Sequence, residues 1–115
     1  METAQYTLKE DKDWAYSIAY NSMLQICRAY MMTRGVRPTT GEGGHKVVFE
    51  YLKIILPKQY FFTLDLLDNI RQKRNRAVYD VPDIISEREA HDVLELAKEF
   101  VPEMIKLIKL RLNKE

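Results

Sequence analysis

The chain has 115 residues, 46% hydrophobic and 30% charged, which is enough for one domain with an ordinary hydrophobic core. Its net charge of +1 excludes a global basic field drawing it onto nucleic acid or membrane, so any polyanion contact must come from a local patch. A single cysteine, Cys27, excludes an intrachain disulfide and a cysteine-based metal cluster.

The start, METAQYTLKEDKD, lacks the basic-then-apolar pattern of a secretion signal. No apolar run approaches the roughly 18 residues of a membrane-spanning helix. The expected setting is cytoplasmic, without membrane attachment. Thr7 followed by Glu10 fits a capping box, which predicts a first helix opening near Leu8 or a few residues later. It runs through DWAYSIAYNSMLQICRAYMMT and stops before Gly35. Ala15, Ala19, Ser22 and Ala29 form a stripe of small side chains, beside Tyr16, Tyr20, Met23, Cys27 and Tyr30. So much apolar surface predicts a central helix with neighbours on more than one side.

GVRPTTGEGG is the clear break, with Gly41, Gly43, Gly44 and Pro38 favouring turns. Thr40 is a candidate cap for a second helix carrying Val47, Val48, Tyr51, Leu52, Ile54, Ile55 and Leu56 and ending at Pro57. A strand is the alternative for KVVFEYLKIIL, given its β-branched residues. Helix is preferred because Lys46, Glu50 and Lys53 recur at steps of three and four.

The third helix, from about Gln59 to Tyr79, has the seam Tyr60, Leu64, Leu67, Arg71, Arg74 and Val78. Its character changes halfway, from core leucines to two arginines. An arginine turned inward needs a carboxylate, a symmetry mate or an anionic ligand, because an unpaired buried charge is costly. Asp80-Val81-Pro82-Asp83 then breaks the helix. Ser86 and Glu89 form a second capping box before a last helix reaching about Asn113, with the seam Ala90, Leu94, Ala97, Val101, Met104 and Ile108. Pro102 inside it predicts a kink. Together these elements predict one all-α, bundle-like domain over residues 1–115.

The chemistry-bearing stretch is IRQKRNRAVYD, with Arg71, Lys73, Arg74, Asn75 and Arg76. It reads either as a solvated basic helix end favoured by the helix dipole, as internal ion pairs with Asp11, Asp13 or Glu42, or as a phosphate site. Planar guanidinium groups suit bidentate phosphate contacts. His45 and His91 fit ordinary surface or capping roles, and neither has the spacing of a zinc site. No metal or cofactor is expected. The glycines near residue 43 follow a helix and lack the Lys-Ser or Lys-Thr of a nucleotide loop. The tyrosines of the first helix read as core.

Three stretches, AYNSMLQICRAYMMTRGVRP, GGHKVVFEYL and IRQKRNRAVYD before ISEREAHDVLELAKEF, resemble the HEPN-domain family over roughly residues 13 to 101. The most specific piece is Arg74-Asn75-x-x-x-Tyr79, similar to a family hallmark of Arg, often Asn, and then His. Tyr79 stands where that histidine usually does. The resemblance implies a four- to five-helix up-and-down bundle that commonly forms a homodimer. It also implies a cleft between protomers that binds RNA or a nucleotide, with Arg74, Asn75 and Tyr79 as catalytic candidates and Arg71, Lys73, Arg74 and Arg76 as phosphate-binding ones. Two functions stay open. One is a metal-independent endoribonuclease toxin paired with a nucleotidyltransferase antitoxin. The other is a non-catalytic module binding RNA, a nucleotide or a protein. Tyrosine, with an unperturbed pKa of about 10, is a poor base at neutral pH.

Overall fold

The computed structural model describes residues 12–37, 44–79 and 84–113, the side chains of Val78 and Tyr79 excepted. Among these residues the chain forms α1 (Lys12–Thr33), α2 (Gly44–Ile55), a 3₁₀ turn (Lys58–Tyr60), α3 (Phe61–Tyr79) and α4 (Glu87–Asn113). The fold is all-α, as the periodicity predicts. The Thr7–Glu10 box, the Thr40 cap and the Asp80–Asp83 break lie outside the described residues.

Helix α1 is central. It packs most extensively on α4 and also meets α2 and α3, while α3 docks against α2. Nine of its residues are buried, including all five of the Tyr16-to-Tyr30 face. Each large side chain so buried contributes about 1.5–3 kcal/mol. The helix ends in a two-bond wrap, with the Gly35 amide donating to Met32 O at 3.0 Å and the Val36 amide to Met31 O at 3.2 Å. Gly35 has φ +75°, which an L side chain adopts only at a cost, so glycine belongs there. From 78 residues away, Arg111 Nη2 donates to Thr33 O at 3.4 Å and covers another terminal carbonyl of the same helix.

The β-branched run in α2 does not form a strand. Val48, Phe49 and Leu52 all face the core, at helical spacing. Lys46 lies 3.8 Å from Glu50 one turn on, but both are exposed and add little. The expected start of the third helix at Gln59 is replaced by the 3₁₀ turn. Pro57, with φ −56°, turns the chain, and its carbonyl accepts the Tyr60 amide at 3.0 Å, a tighter i→i+3 closure. The α-helical pattern begins only at Phe61.

Ser86 and Glu89 cap α4 reciprocally, the Glu89 amide donating to Ser86 Oγ and the Ser86 amide to Glu89 Oε1, both at 3.0 Å. Its seam buries Ala90, Leu94, Ala97 and Met104. The helix continues through Pro102 to Asn113. Tyr60, Leu64 and Leu67 are buried as the α3 seam predicts, and Arg71 and Arg74 follow on that seam, half-buried. The pattern therefore carries the arginines to the interior edge of the bundle, against α1.

Candidate functional site

The site grows from the point where α3 crosses α1 and the start of α2. Tyr20 is fully buried, its ring held edge-on by Phe49 at 6.3 Å between centroids. The Arg74 guanidinium carbon lies 5.5 Å from the Tyr20 ring centroid, within cation–π range. Arg74 Nη1 donates to Asn75 Oδ1 at 3.2 Å, so the neighbouring amide orients the fork. Arg74 Nε is buried and has no acceptor. No carboxylate among the described residues pairs with Arg74.

Arg71 is different. Its Nε donates to Asp68 Oδ1 at 2.9 Å, one turn back on the same helix, with both side chains largely buried. Of the ion-pair partners expected from sequence, Asp11 and Glu42 lie outside the described residues and Asp13 stands in the first turn of α1; the acid paired with Arg71 is Asp68 instead. Arg71 thus contributes field to the site while its own charge is substantially balanced.

On sequence His45 reads as an ordinary surface or capping residue, yet it is half-buried and its Nδ1 sits 2.9 Å from the Tyr20 hydroxyl. Burial, followed by the charges of Arg28, Arg74 and Arg71, lowers its pKa below the ordinary 6.5. The imidazole is therefore neutral at neutral pH. Burial pushes the Tyr20 phenol well above its usual range, against the pull of Arg74 and Arg71, so the hydroxyl keeps its proton. Arg28, from α1, adds a second buried Nε without an acceptor. His45, Tyr20 and Arg28 are the residues that sequence reasoning missed. The only signal was the position of His45 at a helix start, because 25 residues separate it from Tyr20.

The remaining candidates go elsewhere. Lys73 pairs with Glu89 of α4, on a flank away from Arg74. Arg76 is exposed. Tyr79 closes α3, and its side chain lies outside the described residues. His91 is exposed on α4. Among the described residues no group of His, Cys, Asp and Glu could hold a metal ion. Among them, too, no helix is long and apolar enough to cross a membrane.

A concavity of about 580 Å³ lies between α3 and α4, with Tyr16 and Ile70 in its lining and Lys73 beside Glu89. Asp92, Glu95 and Glu99 also border it, so it opposes an anion. No arginine lines this concavity.

No curated protein and no solved structure matches the chain. A family model described as HEPN domain matches residues 1–108 of the 115. The chain therefore belongs to the HEPN family, and with it to a class of nucleotide- or RNA-related helical modules.

Proposed function

We propose that this domain binds RNA or a nucleotide through a phosphate held at Arg74, with Asn75 orienting the guanidinium. The supporting observation is the unmet Arg74 Nε. A buried donor without an acceptor costs about 1–3 kcal/mol. A phosphate oxygen recovers that cost in a charge-assisted bond. Arg28 offers a second such donor. Arg71 reinforces the local potential, and exposed Arg76 attracts the polyanion from farther out. Lys73, already engaged by Glu89, is the weakest of the expected phosphate contacts.

The test is fluorescence anisotropy with a short single-stranded RNA and with ATP. The wild-type protein is expected to bind one of them. Arg74→Ala is expected to weaken binding at least about tenfold, the loss of one charge-assisted contact. Binding that is unaffected by Arg74→Ala overturns the reading.

A second reading, cleavage of RNA without a metal, draws support from the neutral imidazole beside Arg74. In that reading Arg74 supplies the cation at the phosphate, and Asn75 and Tyr79 complete a cleft between two protomers. A homodimer and a nucleotidyltransferase antitoxin partner belong to the same proposal. Cleavage that survives EDTA and disappears in Arg74→Ala selects it over a module that only binds.

A further inference from the structure

We propose that the groove between α3 and α4 is the docking surface for a basic, amphipathic α-helix of a partner protein. None of Arg28, Arg71 and Arg74 lines it, so the inference stands apart from the phosphate reading.

Two helices that share a support leave the gap. Both α3 and α4 pack on α1, yet they barely touch each other, and the pair between Lys73 and Glu89 is the strut across one end. Tyr16 of α1 floors the groove, between Leu66 and Ile70 of α3 and Val93 and Leu96 of α4. The concavity of about 580 Å³ runs past Leu96 and Glu99 into a hollow of about 240 Å³ beside Phe100 and Glu103. From Glu89 to Glu103 the axis of α4 advances roughly 21 Å, or about four turns of a guest helix. An apolar floor of that length between two helices fits helix-in-groove recognition, in which the guest lays down an apolar stripe at helical spacing.

Charge selects the guest. Asp92, Glu95, Glu99 and Glu103 recur at steps of three and four, so they share the face of α4 that borders the groove. Asp92 is 3.5 Å from Arg88 and Glu95 is 3.4 Å from Lys98, surface pairs on α4 itself that solvent screens. Glu99 and Glu103 have no ion pair among the described residues. Lys73, the one cation in the lining, is engaged by Glu89. The α3 bank is otherwise uncharged, with Gln59, Thr63 and Asn69. The guest therefore carries Lys or Arg on the flank facing α4 and uncharged polar residues on the flank facing α3. Such a match steers encounter and fixes the register of the guest. A metal ion does not answer these acids, since among the described residues they form no group able to hold one. A flexible polyamine answers the charge but leaves the apolar floor in water.

The experiment titrates the protein into a labelled Leu/Lys peptide of about four helical turns and reads fluorescence anisotropy. Comparison peptides replace the Leu stripe by Ser, or the Lys flank by Glu. Comparison proteins are the double variant Glu95→Gln/Glu99→Gln and a control, Glu87→Gln, altered at an exposed residue of α4 outside the groove. All three acids are exposed, so the substitutions leave the fold intact. Wild type is expected to bind the Leu/Lys peptide saturably. The double variant binds it at least about tenfold more weakly, having lost two charge-assisted contacts. Glu87→Gln stays within about twofold of wild type. The Ser and Glu peptides bind wild type at least about tenfold more weakly than the Leu/Lys peptide. Equal binding by wild type and the double variant overturns the inference. So does equal binding of the Ser peptide, or displacement of the Leu/Lys peptide by spermidine at equal concentration, which assigns the groove to a polyamine. Wild type that binds no Leu/Lys peptide overturns it as well, and leaves Arg74-dependent RNA binding standing.

Discussion

Arg74 and Tyr20 are stacked, with the guanidinium carbon 5.5 Å from the ring centroid, and this contact fixes the cation at the edge of the core without neutralising it. Arg71, one helical turn earlier, is balanced by Asp68. The two arginines should therefore separate in a binding assay. Arg74→Ala is expected to cost at least about 1.5 kcal/mol of RNA affinity, and Arg71→Ala clearly less. Arg74→Lys keeps the charge but loses the planar fork and the stacking, so it restores little. Anisotropy titrations at two salt concentrations check all three, because loss of a true phosphate contact also lowers the salt slope.

His45 is expected to titrate below 6.5, since burial and then Arg28, Arg74 and Arg71 oppose its protonation. Arg74→Ala removes one opposing charge and moves the midpoint up toward 6.5. The unfolded chain takes up the proton more readily than the native one. The neutral imidazole therefore contributes stability that is full above 6.5 and declines as the pH falls below it. NMR titration of the ring resonances, with urea melts across the same range, checks both signs. A midpoint above 6.5 contradicts them.

The Ser86–Glu89 box satisfies amides that would otherwise lack partners at the start of α4. Ser86→Ala is expected to destabilise the domain by about 1 kcal/mol. Urea denaturation should record the change in midpoint with an unchanged slope, because the cap adds almost no buried surface.

The arginine-bearing seam needs a facing surface, which leads us to expect a homodimer at micromolar concentration. Ile54 and Phe62, 82% and 77% exposed, are apolar groups available to such an interface. Light scattering that returns a monomer removes the two-protomer cleft, and with it any role for Tyr79 supplied across a dimer axis.

Much of the fold was legible because its determinants are periodic. The steps of four and three in α3 placed Leu64 and Leu67 in the core and carried Arg71 and Arg74 inward. The Ser86–Glu89 spacing encoded its cap directly. Pro57 misled the boundary of α3 because its carbonyl closes a 3₁₀ turn, a hydrogen bond that periodicity does not register. Of the candidate site, the seam placed Arg71 and Arg74 but not their partners. Asp68 balances Arg71 from three residues away, a spacing visible in the sequence but not weighed there. His45 was not legible. Its partner is 25 residues distant, and the packing of α2 across α1, not any motif, brings Nδ1 to the Tyr20 hydroxyl.

Lys73 and Arg74 are consecutive, about 100° apart around the axis of α3. One is tethered to Glu89 of α4 and the other rests on Tyr20 of α1. The helix is thereby braced on two flanks like a spindle between bearings. Rolling it to swing the guanidinium outward would drag the lysine off its carboxylate, so the torsional stiffness of the bundle keeps the cation aimed before anything arrives.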